Sequence, residues 1–405
     1  MHIPTIQRSE TLPPPPSGVM PPVAPSERLV PVMAPLAWLV IKGTLLTILT
    51  LGIYRFWYRT ALRRYYWRNT TLAGDGFEYT GTGKELFVGF LIALAIVLPL
   101  YFGVTLVGLF GGQVLGPILA TILGSFIMPA VVQVLIYRAR RYRLTRTRYR
   151  GVRFHQSGTG LGYLFHTVKW LILTVLTLGI VFPYLRRALE RYKTENTWYG
   201  SAQGAFDARA KPLMKSWLLL WFLALFAFLL LVVSSVLVST LGSNSLVLGL
   251  LALAMLLAVP FAWVNYRVIE FQSFVGGTSF GGISLASDLN GGSVIWIWVR
   301  YYLLLIGIAL GAIVLGWIMG IRPRIPVNPN DVGAVVQAPL VLLAAGAFMA
   351  MVLTTEILFR RKLWALRVAS ITVTNVAALD AIVQTAGQDA IGVGEAFDTG
   401  FDIAG

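Results

Sequence analysis

Residues 41–53 read IKGTLLTILTLGI and residues 168–180 read VKWLILTVLTLGI, one pattern displaced by 127 residues without a gap. Lys42 falls on Lys169, Thr50 on Thr177, and Leu51-Gly52-Ile53 on Leu178-Gly179-Ile180. The register runs on into a polar stretch, where Arg59 meets Arg186, Arg64-Tyr65 meets Arg191-Tyr192, and Asn69-Thr70 meets Asn196-Thr197. An apolar segment with a basic, aromatic tail is one structural unit used twice, and a repeat of this kind governs the fold. A third copy is divergent: Val299-Arg300 takes the place of Ile41-Lys42 and Val168-Lys169, no TLG follows, and the basic tail comes only at Arg360.

Composition sets the class. Hydrophobic residues make up 57% of the 405 residues and charged ones 12%, with a mean hydropathy of +0.73. A soluble domain carries about 25% charged residues, so this chain cannot cover itself with polar surface and reads as an integral membrane protein. The net charge of +16 is then the excess Lys and Arg of cytoplasmic loops rather than a nucleic-acid footprint. The absence of cysteine excludes disulfides, iron–sulfur clusters and thiol nucleophiles. His2, His155 and His166 are too widely spaced for a histidine metal site, and no cofactor motif is present.

Eight apolar segments, near 36–57, 86–109, 114–137, 161–185, 215–240, 246–266, 294–319 and 338–359, approach the ~20 residues a spanning helix needs. The links at 110–113 and 241–245 are short and uncharged, so each joins a tight helical hairpin. The expected fold is an all-α polytopic membrane protein of six to eight membrane segments in three pseudo-repeats, at 36–160, 161–293 and 294–374. A proline-rich lead (1–35), expected to be disordered, precedes them. An acidic tail (375–405) follows, with Asp380, Asp389, Glu395, Asp398 and Asp402 and no base.

Arginine clusters follow the first, third, fourth and eighth segments, at 55–68, 138–153, 186–191 and 360–367. The positive-inside rule places all four on the cytoplasmic side. A simple serpentine cannot satisfy it, because the fourth segment is basic on both flanks. Either that segment enters and leaves by one face, with Thr177, Gly179 and Pro183 (and Thr50 and Gly52 in the first copy) as a helix break, or it spans despite the charge. The spacing Gly-x-x-Phe at Gly74–Phe77, Gly151–Phe154 and Gly277–Phe280 marks small β-like elements in the cytoplasmic loops.

Residues 45–81, with RYRLTRTRYRGVRF at 141–154 and LTLGIVFPYLRRALERYKTENT at 176–197, resemble the YjgN family of bacterial inner-membrane proteins of unknown function. The family's Pro-Trp after TLG is Phe56-Trp57 in the first copy and Pro183-Tyr184 in the second, and the insertion at 311–359 departs from the family pattern. The resemblance implies a multi-pass inner-membrane location and this architecture, and no activity.

Lys42, Lys169 and Arg300 sit at matched depth in three apolar segments. They read either as snorkelling side chains or as a set that holds an anionic solute or lipid headgroup. Glu270 and Glu356 are the carboxylates of the apolar segments, both near segment ends, so a mid-span proton relay has no parts; Glu356 is expected to pair locally with Arg360. Walker A, HExxH, GxSxG and kinase motifs are missing, which argues against an enzyme. Two functions fit: a transporter or channel-like protein for a small anionic or amphipathic solute, or a scaffold whose Arg-rich loops grip anionic lipid or a protein partner.

Overall fold

The computed structural model describes residues 26–241, 246–320 and 338–384. The polyproline run, the link at 322–333 and the acids beyond Asp380 lie outside the described residues. Within them, one module recurs five times: a short strand, a helical hairpin out and back, and a second strand. The first module holds β1 (Ser26–Arg28), β2 (Val30–Pro31), α1 (Ala37–Leu49), α2 (Arg55–Arg68) and β3 (Thr70–Leu72). The second holds β4 (Asp75–Gly76), β5 (Glu78–Tyr79), α3 (Gly83–Phe110), α4 (Leu115–Thr145) and β6 (Thr147–Tyr149). The third holds β7 (Val152–Gln156), α5 (Gly160–Leu176), α6 (Phe182–Glu195) and β8 (Thr197–Tyr199). The fourth holds β9 (Ala202–Phe206), α7 (Ala210–Leu241), α8 (Leu246–Gly276) and β10 (Thr278–Phe280). The fifth holds β11 (Ile283–Ser287), α9 (Gly291–Ile318) and β12 (Ile371–Thr374). Its returning helix is α10 (Ala338–Leu353), a π-helical stretch (Thr354–Arg360) and α11 (Arg361–Ala369). The two longer sequence repeats thus hold two helical hairpins each and the third holds one.

The strands close each module at its base. In every one the incoming strand pairs antiparallel with the outgoing strand, and a matching backbone bond extends the ladder. These bonds are Val32 N–H to Asn69 O, Thr80 to Arg146, Ser157 to Asn196, Asp207 to Gly277 and Asp288 to Ser370, at 2.7–3.1 Å. The residue that opens the outgoing strand repeats too. Thr70, Thr147, Thr197 and Thr278 each donate their hydroxyl to the carbonyl four residues back, at 2.7–2.9 Å. That satisfies one of the carbonyls a helix end leaves open. In the fifth module Ser370, just before the outgoing strand, donates instead to the carbonyl three residues back, Arg367 O, at 2.8 Å.

Neighbouring modules are joined by tight turns, three of which have two successive residues at positive φ: Ala73-Gly74 (50° and 82°), Arg150-Gly151 (47° and 77°) and Gly281-Gly282 (51° and 87°). Two left-handed residues in a row are the geometry of a two-residue antiparallel hairpin. The strand pairings also close on themselves. A nine-stranded sheet runs from β1 to β5 and a three-stranded one from β2 to β4. β1 and β2 are halves of one segment broken at Leu29, and β4 and β5 are halves of another broken at Phe77. The ladder therefore passes round a complete ring, with β1 pairing β12 across the chain's ends. A closed sheet has no edge strand left to aggregate.

Inside the ring lies one apolar core. Leu72, Tyr149, Tyr199, Ile283 and Val373 are all at most 5% exposed, and Phe77, Phe154 and Phe280 pack against them. The Tyr149 hydroxyl donates to Leu72 O at 2.8 Å and the Tyr199 hydroxyl to Tyr149 O at 3.1 Å, so neither phenol is stranded. Burial pushes the Tyr199 phenol up to about 12. A 3-10 turn, Val376–Ala381, adds Val376 and Leu379 to the core and is tied down by Asp380 to Arg150 at 3.0 Å.

Six helices among the described residues are long and apolar enough to cross a membrane: Gly83–Phe110, Leu115–Thr145, Ala210–Leu237, Val247–Gly276, Gly291–Ile318 and Val341–Ala369. They form the hairpins of the second, fourth and fifth modules. The apolar parts of the first and third are too short. α1 has 13 residues and α5 has 17, about 20 and 25 Å at 1.5 Å per residue, against a hydrocarbon core of ~30 Å. Segments 36–57 and 161–185 are thus not single spans, which resolves the charge conflict: each turns at TLG and returns as a basic, aromatic helix. Tyr65 donates to Ala34 O at 2.5 Å, and Tyr192 exchanges bonds with Thr159 at 3.1 and 3.3 Å, fixing the antiparallel return.

Four other expectations are revised or sharpened. Within the lead, 26–31 supplies the strands that close the ring. Within the acidic tail, Val376–Ala381 forms the 3-10 turn that packs on the core. Gly277 is not a turn glycine like Gly74 and Gly151; it directly follows α8, its N–H bonded to Ser273 O, and Gly281-Gly282 make the turn. The expected Arg360–Glu356 pair forms, at 2.9 Å.

All module bases face one side. Single cysteines at 63, 146, 191 and 362 are each expected to be shielded from a membrane-impermeant thiol reagent in intact cells. Labelling at 191 but not at 146 would contradict the returning third hairpin.

Candidate functional site

The TLG corner carries the chemistry of the short hairpins. Thr50 Oγ donates to Leu46 O at 2.7 Å and accepts from Tyr54 N–H at 2.9 Å, stapling the two limbs. Thr177 repeats this with Leu173 and Val181 at 2.8 and 3.3 Å. Leu51 and Leu178 take φ near +50° and Gly52 and Gly179 φ of +92° and +88°, a region only glycine enters without strain. The two leucines are 94% and 79% exposed and form apolar tips. Backbone in lipid must be satisfied by protein. In the third module the indoles of Trp217 and Trp221 on α7 donate to Gly179 O and Leu178 O, each at 2.9 Å.

Between the limbs of that hairpin lies a cavity of about 290 Å³ lined by Lys169, Arg187, Arg191 and His166, with Glu195 as the one acid. Trp170 and Tyr184 stack at 6.2 Å and 6° on its wall, and His166 lies 4.8 Å from the Tyr192 ring. Arg187 is aimed by a 2.6 Å bond from its Nε to Ala208 O, and Arg191 lies 3.6 Å from Glu195. The lining holds three fixed cations against one carboxylate. Aromatic rings beside cationic side chains, below an apolar tip, are the chemistry of a membrane interface.

Lys42, Lys169 and Arg300 are all exposed, but Lys42 and Arg300 do not line this cavity, which α5 and α6 alone build. The first copy differs in kind. Trp170 is replaced there by Gly43, over which the Tyr58 ring packs so closely that a Cβ would meet it at 2.1 Å. Arg187 is replaced by Thr60, 3% exposed. The repeat kept the lysine and lost the groove. Sequence reading missed Arg187 and Arg191 as site residues because they appear only as part of a basic tail; their four-residue spacing on one helix face was the available signal.

A second cavity, about 270 Å³, sits under the ring where α6, α8 and α11 converge, lined among others by Arg186, Glu190, Arg267, Glu270 and Arg367. Glu270, 3% exposed, accepts from Arg186 Nε at 2.7 Å and from Arg267. Glu190 pairs with Lys193. Burial opposes both charges and draws the Lys193 ammonium below the usual lysine range. It opposes the Glu190 carboxylate too, but Lys193 and Arg140 outweigh it and hold that group below its usual range. No cluster of three or more metal-ligating side chains occurs among the described residues.

The model of a bacterial protein family of unknown function (DUF898) matches residues 35–399. The chain belongs to this family. The DUF898 match takes in all five helical hairpins and every residue of both cavities. The chain is also similar to the inner membrane protein YjgN of Escherichia coli (strain K12), 29% identical over 145 residues. That stretch covers 35% of this chain and 33% of the relative, so the chain spans about a third of the curated relative it matches. No solved structure matches. With six apolar helices of spanning length, this DUF898 chain is a multi-pass protein of the inner membrane.

Proposed function

We propose that this protein holds the anionic headgroup of a membrane amphiphile in the groove between α5 and α6, and that handling such a molecule, rather than catalysis, is its activity. The observation that carries the reading is the convergence of Lys169, Arg187 and Arg191 on a cavity with one opposing carboxylate. The groove opens beside a half-depth hairpin with an apolar tip, so a headgroup held by the cations would leave its chains beside lipid-exposed leucines. Guanidinium and ammonium groups at an interface are each worth about 1 kcal/mol toward anionic lipid.

The test is lipid retention by purified protein in nanodiscs of mixed phosphatidylglycerol and phosphatidylcholine. Wild type is expected to keep phosphatidylglycerol selectively. Lys169→Met is expected to weaken retention about fivefold, and Lys169→Met with Arg191→Met about 25-fold, at ~1 kcal/mol per charge. Lys42→Met should change nothing, because its groove is filled by Tyr58. Equal retention of both lipids by wild type would refute the reading. Movement of a fluorescent phosphatidylglycerol between leaflets of proteoliposomes separates a transporter from a fixed lipid-binding scaffold.

A further inference from the structure

We infer that the chamber under the strand ring is a second, separate site, for a phosphate-type oxyanion, with Arg367 and Arg267 as its principal ligands. The inference does not rest on the α5–α6 groove; the two share no lining residue. Three guanidiniums enter this chamber from three modules, Arg186 on α6, Arg267 on α8 and Arg367 on α11. The carboxylate of Glu270 is used by the first two, and that of Glu190 by Lys193. Arg367 has no carboxylate partner among the described residues; its guanidinium lies 6.0 Å over the Phe271 ring. Among the lining residues Arg186, Arg267 and Arg367 outnumber Glu190 and Glu270 by one, and Lys193 neutralises Glu190 from outside the lining.

Planar guanidinium forks match the oxygens of phosphate in a bidentate manner. A volume of about 270 Å³ accommodates a phosphate group with water around it. Like-charged arginines from separate hairpins would otherwise repel, so the anion also bridges the third, fourth and fifth modules.

The chemistry is shared by free phosphate and by a phosphomonoester headgroup, and the experiment has an arm for each. Full-length protein in phosphatidylcholine nanodiscs is titrated with inorganic phosphate, and separately with dihexanoyl phosphatidic acid, following the thermal unfolding midpoint. One or both should raise the midpoint of wild type. Arg367→Met should weaken that effect at least tenfold, and Arg367→Lys should recover part of it. Lys169→Met should leave it intact, which separates this site from the groove. If Arg367→Met is unstable in the absence of ligand, Arg367→Gln, neutral but polar, should weaken binding to a similar degree. Failure of both ligands to shift folded wild type, or equal shifts in wild type and the neutral Arg367 variant, would overturn the inference.

Discussion

Replacing Glu270 by Gln is expected to destabilise the folded protein by about 3 kcal/mol, the low end for breaking a buried ion pair by removing one partner. Glu270 is 3% exposed and takes charge from Arg186 on one hairpin and Arg267 on its own. The neutral amide fills the same space, so the loss is electrostatic. It is held to the low end because both arginines keep about a third or more of their side-chain surface accessible. The measurement is the unfolding midpoint of the purified variant against wild type. A double substitution, Glu270→Gln with Arg186→Gln, should recover part of the loss. A midpoint within a degree of wild type for Glu270→Gln would mean that the third and fourth modules are held together by apolar packing alone.

Removing residues 1–31 is expected to be far more damaging than removing residues 1–25. The longer deletion takes away β1 and β2, which pair with β12 and β3 respectively, and leaves two unpaired edges where the ring had none. It also strips Leu29 from the ring core. The shorter deletion leaves every described strand in place. Size-exclusion chromatography of detergent-solubilised protein reads the difference. Truncation at residue 25 should give a sharp single peak, and truncation at residue 31 a large aggregated fraction. Equal profiles would mean that ring closure contributes little.

The membrane character, the long hairpins and the helix break were all legible in the sequence. The 57% apolar composition, the uncharged links and the paired TLG each have a direct physical reading. Placement of basic residues even exposed the conflict that the short returning hairpins settle. What could not be read was the ring. Its strands are two to five residues long, too short for alternation to show, and their partners lie a whole helical hairpin away. The recurring sign was Thr70, Thr147, Thr197 and Thr278 at the end of each returning helix, and the Gly-x-x-Phe spacing ran past it. Of the candidate cations Lys42, Lys169 and Arg300, the repeat showed matched depth but not matched surroundings. Whether Lys169 has a cavity beside it depends on Trp170 and Arg187, where the first copy has Gly43 and Thr60.

The pairing of Glu27 with Val373 sets a schedule for biogenesis. Synthesis proceeds at about 5–20 residues per second, so the first strand emerges roughly 20–70 s before its partner. Throughout that interval every earlier module can already have closed on itself, since each needs only its own two strands. The sheet therefore grows as an open arc with a waiting edge at the N-terminus, and becomes continuous only when nearly the whole chain has been inserted. A ribosome that stalls within the fifth hairpin would release a product with its membrane helices in place and its arc unsealed. Quality-control proteases that recognise unpaired strands could thus distinguish finished from unfinished copies by this single seam.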